Sequence, residues 1–338
     1  MPSAAPTSPL REASGIESLL HHPRALALAA SLAITGCSPA ATAPAQTPAP
    51  VPAAAGGSTL AIGLVSPEPL EKIAAYQPLA DYLAANLTAS GVARGEVVLT
   101  RDIETMGQNL RDGSVHVFVG SASSTLRLEE TAGAQPVALA TKGGDTDYRT
   151  LFIARKDSGI TAVSALSGEL VAFERDISTS GFLLPAAELV EAGFSLKQIQ
   201  SGSAPPRSRA AEVQYLFTRR AANTVDAVIH RQAAAGAMSN TNFAKLDPKV
   251  QADLVTFGHG RLIPRSLVSL VSLGPKRAPA VAAQVPGLLN RLADAVDDKA
   301  ILAAADGTAN FQPLSKATEE SLAFIRDVIR RTVGDLSS

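Results

Sequence analysis

The residues best suited to chemistry in this 338-residue sequence lie between Phe173 and Pro185. They read Phe-Glu-Arg-Asp-Ile-Ser-Thr-Ser-Gly-Phe-Leu-Leu-Pro. An apolar strand pattern, Leu170 to Phe173, ends there, a polar loop follows, and a helix is predicted from about Ser180 to Glu191. Ser178, Thr179, Ser180 and Gly181 therefore stand where a helix begins. Backbone N–H groups at a helix start are unpaired and carry partial positive charge. Hydroxyls add donors, and a glycine lets a ligand come close. This pattern suits an anion. It also suits an ordinary helix N-cap, and the local sequence leaves both readings open.

Little else in the chain has a catalytic pattern. No Walker loop, HExxH, GxSxG or dinucleotide glycine fingerprint occurs. His116, His230 and His259 lack metal-ligand spacing, so no metal site and no cofactor are expected. His116 reads as a satisfied strand residue, and Asp226 with His230 as a helix-face pair four residues apart. The net charge of −1 gives no reason to expect nucleic acid as a partner. Aromatics at 4% and the absence of Trp argue against a stacking platform for bases or sugars. An anion, if held, must be held by local geometry.

The elements that position these residues alternate between strand and helix. Strands are predicted at Leu60–Val65, Val97–Leu99, Val115–Val119, Pro136–Ala140, Thr150–Ala154, Leu170–Phe173, Gln214–Phe217, Asp253–Phe257 and Ser266–Val271. Helical spacing covers Ile103 to Leu110 and Ala221 to Arg231, and Gly193 stops the helix that follows Ser180. Pro78 is expected at the first turn of a helix, and Pro286 with Gly287 to break a helix spanning Pro279 to Val296. A last helix runs from about Leu314 to Val333. Such alternation implies α/β architecture.

The N-terminal region reads as an address. After Arg24, an apolar run from Ala25 to Gly36 meets Cys37, the only cysteine. The run is shorter than the roughly 20 residues of a membrane span. The stretch Leu32 to Cys37 resembles the lipobox of bacterial lipoproteins. That resemblance implies residues 1–36 as a signal peptide and lipid attachment at Cys37. Glu12 and Glu17 are atypical of such a lead. Residues 37–57 are rich in Ala and Pro and uncharged, so they read as an extended tether to the bilayer.

Several segments together resemble the phosphate/phosphonate-type substrate-binding proteins of ABC transporters. They are Tyr76 to Leu83, Gly113 to Gly120, Tyr148 to Ile160, Leu166 to Phe173, Ser178 to Gly181 with Pro185, and Ile263 to Val268. The resemblance implies a two-lobed periplasmic-binding-protein fold. Each lobe is a doubly wound mixed sheet flanked by helices, and two crossing hinge segments lie near Arg149–Ile153 and Leu262–Ser266. Lobe I would take residues 58–150 and 265–338, and lobe II residues 151–264. The family implies Ser178, Thr179 and Ser180 on phosphoryl oxygens, Tyr76 from the opposite lobe and Tyr148 at the hinge. Ser121 and Ser123 stand where relatives contact ligand, although a serine-rich helix cap also accounts for them.

Two departures from the family bear on the ligand. Relatives carry an aspartate before a late Ala-Gly-Ala strand; one register places Ala234 there, another Asp226. A ligand-facing histidine of some relatives is absent near Ser201 to Arg207, where Arg207 or Arg209 could supply a bidentate donor, or the loop is simply solvated. The expected function is capture of a small phosphorus oxyanion (phosphate, phosphite or simple phosphonate) for an inner-membrane ABC permease, without catalysis, in the cell envelope. The alternative is a sensing or scaffold lipoprotein of the same fold working with a membrane kinase.

Overall fold

The computed structural model describes residues 58–142, 147–200, 211–258, 260–271, 279–294, 299–305 and 307–336. Cys37, the segment before Ser58, Arg207, Arg209 and His259 lie outside the described residues.

Along the chain, β1 (Ser58–Val65), α1 (Pro69–Ala85), β2 (Val92–Thr100), α2 (Ile103–Asp112), β3 (Val117–Gly120), α3 (Ala122–Ala132) and β4 (Ala134–Lys142) come first. A short β5 (Asp147–Tyr148) leads to β6 (Thr150–Arg155), β7 (Leu170–Phe173), α4 (Leu184–Glu191), β8 (Ser195–Gln198) and β9 (Glu212–Phe217). Then come α5 (Ala221–Ile229), β10 (Ala235–Ser239), α6 (Asn240–Phe243), α7 (Pro248–Ala252) and β11 (Leu254–Phe257). The chain continues through β12 (Ile263–Pro264), β13 (Ser266–Val271), α8 (Pro279–Asp294), α9 (Lys299–Ala304), β14 (Thr308–Gln312) and α10 (Lys316–Leu336).

The strands make two six-stranded mixed sheets, one per lobe. Lobe I has the order β14-β4-β13-β3-β1-β2 and lobe II the order β11-β6-β10-β7-β9-β8. In lobe I, β1 pairs in parallel with β2 and β3, and β13 returns antiparallel to β3. In lobe II, β7 pairs in parallel with β9 and β10, and β6 runs antiparallel to β10. The chain crosses between sheets twice, and the crossing strands pair: Tyr148 lies opposite Ile263 and Asp147 opposite Pro264. The first crossing falls just before the expected Arg149–Ile153, because Thr150 to Arg155 is already hydrogen-bonded into the second sheet.

Helices cover the sheets through apolar faces. In lobe I, α1 and α8 bury Leu79, Leu83, Leu288, Leu289 and Leu292 against Ile62 and Val268. Both helices run through an interior proline, Pro78 and Pro286. The expectation that Pro78 opens a helix and that Pro286 breaks one is therefore corrected. Packing is the reason: each buried leucine contributes roughly 1.5–3 kcal/mol, and the two in α1 and three in α8 offset the roughly 3 kcal/mol an interior proline costs. Five strands are absent from the sequence reading: the two-residue β5 and β12, and β8, β10 and β14. β8 is largely exposed and β14 buries only Thr308 and Phe311, so neither carries a strong apolar signal.

Lobe II is held by an aromatic cluster. Phe182 meets Phe173 and Phe217 edge-on, with ring centroids 5.4 and 5.0 Å apart, and Tyr215 lies 5.7 Å away. Phe182 follows directly on Ser178 to Gly181, so its burial pins that turn to the end of β7.

Candidate functional site

The C-terminal ends of β1, β3, β7 and β10 converge on a cavity of about 250 Å³ between the lobes. Ligands in open α/β sheets commonly bind outside the carboxyl ends of parallel strands. Val65, Gly120, Ser121, Ser124, Glu174, Arg175, Ser178, Ser180 and Ser239 are among the lining residues.

Three strand ends share one device. Each is followed by a serine with extended backbone whose hydroxyl caps the next helical turn, at the strand end for Ser121 and Ser239 and after a four-residue loop for Ser178. Ser121 Oγ accepts from Ser124 N at 3.3 Å, Ser178 Oγ from Gly181 N at 3.1 Å, and Ser239 Oγ from Asn242 N at 3.0 Å. The turn after Ser178 is a π-helical turn over Thr179–Leu183 rather than the expected α-helix from Ser180. Such turns are frequent at functional sites. Ser180 lines the cavity and its carbonyl accepts from Thr150 Oγ1 at 3.2 Å.

Two hydroxyls hold the lobes together. Ser121 Oγ donates to Ile177 O at 2.8 Å, and Thr179 Oγ1 accepts from Ser123 N at 2.9 Å. Ser123 and Thr179 are buried and do not line the cavity; Ser124 lines it instead. Arg127 of α3 bridges to Asp176 at 3.0 Å, and Arg220 to Glu68 at 2.9 Å.

Charge is concentrated around the cavity. Lys142, Arg175 and Arg265 line it with one carboxylate, Glu174. The Arg175 Nε is buried and has no hydrogen-bond partner. A buried guanidinium donor left unsatisfied is costly, so an acceptor inside the cavity would relieve it. Arg265 lies 6.0 Å from the Tyr148 ring centre. Tyr148 lines the cavity, and burial pushes its phenol up, opposed by hydrogen bonds with Ser180 and Thr179.

The remaining expected residues fall elsewhere. Tyr76 does not line the cavity: it is 4% exposed, on the inward face of α1 with Leu79 and Leu83 in the lobe I core. Arg207 lies outside the described residues. Neither register of the missing aspartate reaches the cavity. Ala234 precedes β10 at the far end of the sheet and lines a separate groove with Arg155, Asp157 and Arg231, while Asp226 sits in α5. The lining carboxylate is Glu174, directly after β7. His116, expected in a strand, stands one residue before β3 and accepts from Ala61 N through Nδ1 at 3.1 Å.

Sequence reasoning missed Ser239, Thr241 and Asn242. Their signal was available: an apolar strand, Ala235 to Met238, runs straight into Ser-Asn-Thr-Asn, the same strand-then-cap pattern as at Phe173 to Ser178.

A family model described as the periplasmic substrate-binding protein of a phosphonate ABC transporter matches residues 62–318. The chain belongs to this family. Several solved structures share the fold of the phosphonate-binding family member. XAC2383 from Xanthomonas citri, solved bound to ATP and bound to chloride ion, is 26% identical with a TM-score of 0.76, over 82% of this chain and 99% of that one. PhnD1 from Prochlorococcus marinus, in complex with methylphosphonate, is 14% identical with a TM-score of 0.62, over 81% and 97%. A binding protein component of an ABC phosphonate transporter, PA3383 from Pseudomonas aeruginosa, is 15% identical with a TM-score of 0.59, over 83% and 88%. No curated protein sequence matches the chain. The family is one of transporter binding proteins rather than enzymes, and its members work in the periplasm with a membrane permease.

Proposed function

We propose that this protein captures a small phosphorus oxyanion (phosphate, phosphite or a simple phosphonate) between its lobes for an ABC importer, with no catalytic step. The observation that carries the reading is the cavity itself. Ser178 and Ser180 line it with Lys142, Arg175 and Arg265, and the buried Arg175 Nε makes no hydrogen bond, its ion-pair partner Glu174 Oε1 being 3.8 Å away. Three cations against one carboxylate make a locally positive site on a chain of net charge −1. Closure of two lobes around the anion is a hinge transition.

A second reading has one observation behind it: XAC2383 was solved bound to ATP. A cavity of about 250 Å³ is small beside the 300–1,000 Å³ usual for drug-sized ligands. Only Phe118 and Tyr148 among its lining residues are aromatic. Both favour a small oxyanion over a whole nucleotide.

The same proposal includes export and a lipid on Cys37, supported by the apolar run that ends at the only cysteine and the uncharged tether after it. Calorimetric titration with phosphate, phosphite, methylphosphonate, sulfate and ATP tests the ligand. Heat with a phosphorus oxyanion and none with ATP is expected; no heat with any phosphorus oxyanion overturns the assignment. Cys37→Ser is expected to move the protein from the membrane to the soluble fraction, and continued membrane association refutes the anchor.

A further inference from the structure

A carboxylate inside an anion site requires an explanation, because it repels the ligand the cations attract. Glu174 lines the cavity, and its position is built rather than incidental. Its backbone N donates to Gly181 O at 3.0 Å, and its carbonyl accepts from Arg219 N at 2.8 Å. Its Oε2 accepts from Ser178 Oγ at 3.0 Å, and Oε1 lies 3.8 Å from Arg175 Nε. Gly181 makes room for it: a Cβ there would stand 2.8 Å from Glu174 Cβ and 2.9 Å from Oε2. The glycine expected to admit a ligand thus admits this side chain, which lies across the hydroxyl cap.

An ionised carboxylate only accepts hydrogen bonds. It meets a fully deprotonated oxyanion with repulsion, and it meets an oxyanion that still carries a proton, or a ligand that carries an ammonium group, with a bond. We propose that Glu174 is a specificity residue that restricts the site to ligands presenting a hydrogen-bond donor beside the oxyanion: monoprotonated phosphate and phosphonates, or aminophosphonates, and not sulfate. The inference rests on the oxyanion reading above.

The proton that matters is the ligand's. A phosphonate or phosphoester group loses its last proton around neutral pH, phosphoesters at about 6. Among the described residues, the charged groups that line the cavity with Glu174 are Arg175 on its own loop, Lys142 at the end of β4 and Arg265 beside β13, with Tyr148 on β5. Among the described residues no histidine lines the cavity, and burial holds the Tyr148 phenol above its usual range. Wild-type affinity for methylphosphonate should therefore fall as pH rises through the ligand's last ionisation. A site of cations alone would do the reverse, since the dianion is the better partner.

The test is calorimetry with methylphosphonate and sulfate across that pH range, on wild type and on Glu174→Gln, whose amide can donate. Wild type is expected to prefer methylphosphonate at least about tenfold, and Glu174→Gln to gain about tenfold for sulfate while its pH slope flattens or reverses. If both ligands change by one common factor in the variant, with the slope unchanged, Glu174 only fills space and the inference is wrong while the oxyanion reading stands. Should the variant fail to fold, the wild-type slope alone decides, and affinity that rises with pH overturns the proposal. If wild type binds no phosphorus ligand at all, the oxyanion reading fails and takes this inference with it.

Discussion

The two lobes meet the cavity with the same local device and put it to different uses. Lobe I brings β3 and the cap at Ser121; lobe II brings β7 and the cap at Ser178. The lobe I cap opens a regular α-helix, and its hydroxyl reaches across to Ile177 O at 2.8 Å. The lobe II cap opens a π-helical turn, and its hydroxyl stays on its own lobe, donating to Glu174 at 3.0 Å. The difference lies in the flanking residues. Four residues, Glu174 to Ile177, stand between β7 and Ser178, whereas Ser121 follows directly on Gly120, the last residue of β3. On the proposed function, the lobe I cap clasps the partner lobe and the lobe II cap stands beside the ligand, which cations of both lobes hold. A strand-to-helix serine is a common structural motif; charge placed beside it makes it selective.

The contrast can be broken first at Arg175. Arg175→Ala removes a fork that could make two charge-assisted bonds, each worth roughly 1.5–3 kcal/mol. Methylphosphonate affinity should fall about a hundredfold by calorimetry, with the melting temperature nearly unchanged.

Paired serine variants sharpen it. Ser178→Ala should weaken binding about tenfold, from the loss of one bond near a charged ligand. Ser121→Ala should cost stability instead, about 0.5–2 kcal/mol for a lost cap by denaturant titration, and change affinity only a few-fold. Equal losses of affinity in the two variants would erase the division of labour.

Gly181→Ala forces a Cβ to within 2.8 Å of both Glu174 Cβ and Ser178 Oγ. Overpacking of that kind costs about 1–3 kcal/mol, measurable as a lower unfolding midpoint. The smallest effect belongs to the ion pairs Arg127–Asp176 and Arg220–Glu68, whose partners are partly exposed. Exposed pairs are worth about 0–1 kcal/mol and are screened by salt. Arg127→Ala with Arg220→Ala should slightly widen the ligand-free solution scattering envelope at low salt, and not at high salt.

Much of the fold was legible because its strands are buried on both faces and read as short apolar runs. Leu170 to Phe173 is one, and its observed bounds match the expected ones. What escaped lacked that signal or was overridden by packing. β8 is exposed, and the prolines at 78 and 286 sit in helices whose leucines decide the matter. The site was legible only where it is local. Ser178 to Ser180 announce themselves as hydroxyls at a helix start. Glu174 and Arg175 lay in the same stretch but read as an ordinary polar loop. Lys142 and Arg265, more than a hundred positions apart, become neighbours only when β4 and β13 pair. Tyr76 went the other way: its helix face, set by Leu79 and Leu83, turns it into the core.

The most direct measurement is a crystal structure of the protein grown with methylphosphonate. The phosphorus is expected between the lobes, its oxygens within hydrogen-bond distance of the Arg175 guanidinium and of Ser178 or Ser180. Density for the ligand at any other place, or a cavity that stays free of it at saturating concentration, contradicts the account.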